Sequence, residues 1–167
     1  RFAEVREYYE RGIAMCREVG HRLFEARGTY GLANVLLGLD RFQEAKEHYE
    51  RAVAIFREVG QGPNEASSVG DLGVACVAAG HLSEAREHIA TALALSRAVG
   101  DRGIEANATV NLGEALRLQG RLGEAKRQLE QSVAFCREFG GRSTEAIAQG
   151  NLGDVLQWPL WWQNTCD

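Results

Sequence analysis

Apolar residues recur in two alternating stretches, each with the three- and four-residue spacing that places them on one face of a helix. One stretch lies at about 101–118, with Leu112 and Leu116 on its apolar face. The next lies at about 122–139, with Leu129 on the corresponding face. Both stretches recur at a period of 40 residues. The pattern predicts an all-α chain of repeated helix pairs.

Glycine marks the ends of these predicted helices. Four glycines close the second helix of each pair, and three more mark the turn inside a pair. In that order they are Gly20, Gly60, Gly100 and Gly140, then Gly38, Gly80 and Gly120. Glycine takes positive φ without steric cost, so it ends a helix readily. A fixed period of this length predicts a solenoid in which each repeat contacts only its neighbours.

The period divides the chain into unequal parts. They are a second helix alone (1–20), three full repeats (21–60, 61–100 and 101–140), a first helix (141–157) and a tail (158–167). Because Arg1 falls inside a repeat, we expect the chain to be a piece of a longer array.

The tail departs from the repeat and holds all three tryptophans. We expect Pro159 to end the preceding helix near Trp158, because proline disfavours helical backbone at the residue before it. The tail is either an end that is foreign to the array or an apolar cap over its last helix. As a cap, it should bury at least two tryptophans.

Small residues recur at two positions inside the helices. One position holds Ala33, Gly73, Gly113 and Gly153, and the other holds Ala45, Ala85 and Ala125. Glycine in the middle of a helix costs about 1 kcal/mol relative to alanine. Its repetition predicts that helices approach closely there.

Charge and hydropathy exclude two classes of partner. The net charge is −4 and the isoelectric point is near 5.6, so the chain lacks the basic excess typical of nucleic-acid binding. No apolar run of 18 residues precedes Trp158, so we expect no membrane span and no membrane partner.

The four cysteines, Cys16, Cys76, Cys136 and Cys166, do not form a C-x-x-C pair. Cys16 shares its repeat position with Phe56, and Cys76 shares its position with Leu36, which favours a packing role. We therefore expect free structural thiols, a reducing cytoplasmic location, no zinc site and no cofactor.

Catalytic patterns are missing from the sequence. It contains no H-E-x-x-H, G-x-S-x-G or phosphate-binding loop. His48 and His88 correspond to Tyr8 and Gln128 in other repeats, so the position does not require an imidazole. We expect no catalytic residue and no enzymatic activity.

The repeated Leu-Gly pairs and the alanines that follow them resemble the tetratricopeptide repeat, which has the pattern W-x2-L-G-x2-Y and then A-x3-F. Here Leu112-Gly113 is followed by Leu116, and Ala125 is followed by Leu129. The chain departs from the pattern at the tryptophan position, which holds Thr29, Val69, Thr109 and Gln149. Its 40-residue unit is similar to the long-repeat subgroup of Pins/LGN-type scaffolds and bacterial regulatory proteins. The resemblance implies a right-handed superhelical solenoid of stacked antiparallel helix pairs.

The resemblance also implies a binding surface, because first helices line the concave wall of such arrays. The positions that then face inward hold Asn34, Asp71, Asn107, Asn111, Glu114, Arg117, Asn151 and Asp154. We expect Asn111, Glu114, Asn151 and Asp154 to form one continuous wall. An asparagine amide can donate to and accept from a peptide backbone, and the acidic excess favours a ligand with Lys or Arg. The alternative is that these are ordinary solvated side chains.

Two functions remain open at this point. The first is a protein–protein interaction scaffold that holds a peptide or partner helix in its concave groove. The second is a structural or regulatory segment that acts through repeat stacking or self-association at exposed array ends, without a peptide ligand.

Overall fold

The computed structural model describes residues 2–165, and it describes side chains for residues 2–157. These residues form eight α-helices and no strand, as the sequence predicts. The helices are α1 (Phe2–Glu18), α2 (Arg22–Leu37), α3 (Phe42–Glu58), α4 (Gly62–Ala78), α5 (Leu82–Val99), α6 (Arg102–Leu118), α7 (Leu122–Phe139) and α8 (Arg142–Thr165).

Each helix packs on the next one along the chain, so the pairs stack into a solenoid. The first helices of neighbouring repeats also touch, α4 with α6 and α6 with α8. Among residues 2–165, no two second helices contact each other to a comparable extent. The stack therefore curves with its first helices on the inner side and its second helices on the outer side.

Helix α6 shows why the predicted boundaries are accurate. Asp101 precedes it as the N-cap, and the Asp101 carboxylate accepts a hydrogen bond from the Ile104 backbone N–H at 3.0 Å. The second helix of each pair ends at a glycine with left-handed backbone: Gly100 follows α5 with φ of 73°, and Gly140 follows α7 with φ of 81°.

One expected glycine position is wrong. Gly38 is right-handed, with φ of −66°, and the left-handed residue of that turn is Asp40, with φ of 58°. Asp40 stands in register with Gly80 and Gly120, which are left-handed. The turn geometry therefore belongs to the repeat position, and aspartate tolerates that conformation better than most residues.

The expected helix end near Trp158 is also wrong, because α8 continues through Pro159 to Thr165. Proline removes one backbone donor and crowds one carbonyl, a cost of about 3 kcal/mol that is confined to a single turn. The predicted burial of the tail tryptophans lies outside the side chains that the structure describes.

The predicted hairpin core of the third repeat is confirmed for three of its four residues, Leu112 being the exception. Leu116, Ala125 and Leu129 are buried and belong to one hydrophobic cluster. Leu112 is only partly buried, and it packs against both this cluster and that of the preceding repeat.

The predicted close approach of helices occurs at the recurrent glycine position. A Cβ atom at Gly73 would lie 2.6 Å from Ile89 Cγ1 and 3.2 Å from the Ala85 carbonyl oxygen. A Cβ atom at Gly113 would lie 2.7 Å from Leu129 Cγ. The two helices of these hairpins therefore pack at a separation that leaves no room for an ordinary side chain.

A repeated ion pair joins each second helix to the next first helix. An arginine in the last turn of the second helix donates to a glutamate eight residues later, at 2.6–3.0 Å. The pairs are Arg17–Glu25, Arg57–Glu65, Arg97–Glu105 and Arg137–Glu145. The interaction recurs at all four junctions between repeats in the described residues, and its exposed arginines limit it to a small contribution to stability.

The core assignment leads to a stability prediction. Leu116→Ala should lower the free energy of unfolding by about 2–5 kcal/mol, because it leaves a cavity in a packed hairpin. Leu118→Ala is the matched control, since Leu118 is 44% exposed and Leu116 is 4% exposed. Urea denaturation measures both variants. Equal losses would contradict the assignment of the helix face.

Candidate functional site

A shallow depression on the inner side of the stack lies between α4 and α6. It is lined by Ser67, Gly70, Asp71, Ile104, Asn107, Ala108 and Asn111. Three of the residues predicted from the sequence, Asp71, Asn107 and Asn111, therefore meet in one place. Gly70 has no side chain and Ala108 has only a methyl group, so they leave space between the polar side chains of the two helices.

The two asparagines of this depression differ in their bonding. Asn107 accepts a hydrogen bond from the Thr144 hydroxyl at 2.7 Å, which ties α6 to α8. Asn111 is half-buried, and its amide makes no hydrogen bond to the side chains and backbone described here. A half-buried amide with one donor group and one acceptor unpaired is suited to bind a peptide group.

A second depression lies between α2 and α4. It is lined by Arg27, Tyr30, Gly31, Asn34, Phe56, Asn64, Ser67 and Ser68. Asn34 is exposed, and its side-chain oxygen accepts a hydrogen bond from the Tyr49 hydroxyl at 2.5 Å. Ser67 lines both depressions, so they form neighbouring parts of one surface.

Tyr30 and Asp71 connect the first helices of two repeats. The Tyr30 hydroxyl donates to Asp71 Oδ2 at 2.5 Å. Burial raises the pKa of Asp71, and the hydrogen bond from Tyr30 opposes that shift. Burial also raises the pKa of Tyr30, with the Asp71 carboxylate as the second cause. The pair acts chiefly as a bridge inside the wall.

Arg117 neutralises much of the acidity farther along the wall. Its guanidinium donates to both carboxylate oxygens of Glu114, at 2.6 and 2.8 Å. This pairing raises the pKa of Arg117, and the Asp154 carboxylate adds a smaller effect from α8. Glu114, Arg117 and Asp154 therefore form one charged group across α6 and α8.

Asn151 is the residue of α8 at the position equivalent to Asn111. It is half-buried, and its side-chain amide has no partner within the described part of the chain. The structure thus brings the predicted residues together in local groups. That Asn111, Glu114, Asn151 and Asp154 act as one ligand-binding wall stays a prediction.

Tyr30, Ser67 and Thr144 are wall residues that the sequence analysis missed. Each occupies a first-helix position whose residue type changes between repeats, so the period alone does not single it out. Tyr30 precedes the Gly31 position by one residue, and its reach to Asp71 depends on the spacing between repeats.

A group of side chains that could bind a metal ion lies near the turn of the α4–α5 hairpin. Ligand atoms of Cys76, Glu84 and His88 lie within 4.8 Å of one another, and this is the one such metal-ligating group found among the described residues. Separately, no described helix has the length and apolar character needed to cross a membrane.

Solved structures with the same architecture support this description of the fold. BtubC (BKLC) from P. vanneervenii is 21% identical, with a TM-score of 0.72 and coverage of 81% of this chain and 56% of that one. A Rap protein complexed with competence and sporulation factor is 15% identical, with a TM-score of 0.81 and coverage of 95% and 44%. A Podosopora anserina putative kinesin light chain with nearly identical TPR-like repeats is 20% identical, with a TM-score of 0.68 and coverage of 98% and 87%.

The chain spans about half the length of the BtubC and Rap proteins, and at these identities the likeness concerns the fold alone. A search of curated proteins finds no match. Family models described as tetratricopeptide repeat match residues 1–58, 24–98 and 106–138, which is most of the chain. Together with the stacked helix pairs and the Leu-Gly positions, these matches show that the chain belongs to the tetratricopeptide repeat family.

Proposed function

We propose that this chain is a protein-interaction module that binds a peptide segment of a partner along the inner face of α2, α4, α6 and α8. The proposal rests most on Asn111, whose half-buried amide is unpaired at the edge of the depression between α4 and α6. A half-buried amide is free to exchange solvent for a ligand, and a peptide backbone offers both the donor and the acceptor that the amide can bind. The proposed role is binding alone, without catalysis.

The shape of the surface favours an extended ligand. The depressions between α2 and α4 and between α4 and α6 adjoin at Ser67, so a peptide can contact several repeats in turn. Both depressions contain short polar side chains, among them Asn34, Ser67 and Asn111. The Rap protein, which shares this fold, was solved with competence and sporulation factor, so the architecture is compatible with a ligand-binding role.

The charge of the surface refines the expected ligand. Asp71 is held by Tyr30, and Glu114 is held by Arg117, so neither carboxylate is free to bind strongly. Asp154 is exposed on the same side. We infer that amide groups recognise the peptide backbone, and that a Lys or Arg of the ligand lies near Asp154.

The second candidate function is association through an array end. Tyr8 on α1 and Phe24 on α2 line an apolar groove and are 75% and 50% exposed. In the following repeat, Tyr49 takes the place of Tyr9, which lines that groove, and is fully buried. Another helix would cover this face in a continued array. A chain that stays monomeric in sedimentation experiments as its concentration rises would exclude self-association by this face.

A peptide selected for binding to this chain gives the simplest test of the proposed function. A random peptide library displayed on phage is selected against the full chain, and the tightest peptide is synthesised with a fluorophore. Asn111→Ala should weaken its binding about tenfold, since it removes two hydrogen bonds of the order of 0.5–1.5 kcal/mol each. Fluorescence anisotropy measures the dissociation constant.

Gln131→Ala provides the matched control, because Gln131 is an exposed amide on the outer helix α7. Its affinity for the peptide should equal that of the unmodified chain, and circular dichroism should show equal helicity in all three proteins. If both variants bind equally well, the peptide does not use the inner wall and the proposal is wrong.

Asp71→Asn should separate the structural role of the Tyr30–Asp71 bridge from its charge. Folding raises the pKa of Asp71, so ionisation of its carboxyl at neutral pH lowers the stability of the folded state. Asparagine removes this charge but keeps an oxygen that can accept the hydrogen bond from the Tyr30 hydroxyl. The variant should therefore have the higher urea midpoint at pH 7. The difference should vanish below about pH 4, where the unfolded carboxyl is also protonated.

Glu87→Gln is the control for this measurement, since Glu87 is exposed on α5 and the change should leave the midpoint close to that of the unmodified chain at every pH. A lower midpoint for Asp71→Asn at pH 7, or a difference that does not depend on pH, would show that the buried charge is not penalised.

A further inference from the structure

The α4–α5 hairpin brings three different metal-ligating side chains together near its turn. Cys76 comes from the last part of α4, and Glu84 and His88 come from the first half of α5. Glu84 and His88 are four residues apart, so they share one face of their helix. The Cys76 sulfur, a Glu84 carboxylate oxygen and a His88 ring nitrogen lie within 4.8 Å of one another.

These separations are close to those of a formed metal site. Zinc binds sulfur at about 2.3 Å and nitrogen or oxygen at about 2.0–2.2 Å, so ligand atoms on a tetrahedral ion are roughly 3.3–3.8 Å apart. His88 Nε2 is 3.6 Å from Glu84 Oε1, which already matches this range. A movement of about 1 Å by the thiol, within reach of a small side-chain rotation, would complete the group.

We propose that Cys76, Glu84 and His88 form a binding site for a transition metal ion of the zinc class, with water as the fourth ligand. Thiolate, imidazole and carboxylate together favour Zn²⁺ or Co²⁺ over the hard ions Mg²⁺ and Ca²⁺. This site is distinct from the inner wall, so it stands or falls independently of peptide binding.

The environment of the three groups suits an ion that enters from solvent. Cys76 is fully buried, whereas the Glu84 and His88 side chains are 37% and 28% exposed. Burial raises the pKa of the Cys76 thiol to about 11, so the thiol is protonated at neutral pH. On binding, the sulfur–hydrogen bond breaks, the sulfur keeps the electron pair and bonds to the ion, and the proton leaves to the buffer.

Lys46 is the group that competes with a metal ion. Its ammonium lies 2.5 Å from Glu84 Oε1, on the carboxylate oxygen that faces His88. The equivalent contact in the preceding repeat, Arg6 to Glu44 at 3.4 Å, shows that this ion pair belongs to repeat stacking. A bound ion must therefore displace the Lys46 ammonium, which has Glu50 at 4.0 Å as another partner.

The other repeats provide natural comparisons within the chain. The three positions hold Leu36, Glu44 and His48 in the preceding repeat, and Leu116, Glu124 and Gln128 in the following one. The full ligand set thus occurs in one repeat only. The position of Cys76 otherwise holds leucine, so Cys76→Leu restores the packing of the repeat while it removes the sulfur ligand.

The experiment is a titration of the purified full chain with Co²⁺, followed by the near-ultraviolet absorption of a cobalt–thiolate bond. We expect a saturable band at one ion per chain. Cys76→Leu should abolish the band, and His88→Gln should weaken Co²⁺ binding by at least about tenfold, the smallest loss usual even for indirect changes to a metal site. His48→Gln and Cys136→Ser are the matched controls and should leave the affinity unchanged.

Lys46→Met gives a result of opposite sign, because it removes the competing ammonium. This variant should bind Co²⁺ more tightly than the unmodified chain, and Zn²⁺ should displace the cobalt in both. Circular dichroism confirms that each variant is folded. The absence of a cobalt–thiolate band in the unmodified chain, its persistence in Cys76→Leu, or equal effects of His88→Gln and His48→Gln would overturn the proposal.

Discussion

The close approach of two helices inside the α4–α5 and α6–α7 hairpins is the constraint on which the rest of the molecule depends. Where α4 faces α5, and again where α6 faces α7, the first helix has a glycine against a large side chain of the second, Ile89 or Leu129. The contact is too short for a Cβ atom, so the close packing that glycine permits offsets its low helix propensity. These two hairpins are thereby closely packed, and the array is built from the stacking of helix pairs.

Stacking in turn determines which side chains reach the inner wall. The arginine–glutamate pairs at every junction join one hairpin to the next, and contacts between first helices bring those helices to the inner side. Side chains such as Tyr30 and Asp71 then bridge neighbouring repeats, while Asn111 is left without a partner among the described residues. The candidate binding surface is thus a consequence of repeat geometry, and its chemistry lies in the positions that vary between repeats.

The periodic part of this structure could be predicted from the sequence, because helix ends and core positions recur every 40 residues. Leu116 and Leu129 were identified as core residues from spacing alone, and both are buried. Contacts between repeats could not be predicted in this way, since the Tyr30–Asp71 bridge joins residues 41 positions apart whose side-chain reach depends on the stacking distance. The Cys76 cluster escaped for a similar reason: its ligands meet across a hairpin, and the absence of a C-x-x-C pattern does not bear on such a group. Asp40 shows that repeat position predicts a turn better than residue type does.

The central claim is that the inner wall, rather than an outer face or an array end, binds the partner. Nuclear magnetic resonance of the ¹⁵N-labelled chain with a saturating selected peptide tests this most directly. The account predicts that amide shift changes concentrate in α4 and α6, around Asp71, Asn107 and Asn111, and leave the exposed face of α7 unchanged. Shift changes that concentrate on the outer helices, or on the exposed apolar face of α1, would contradict it.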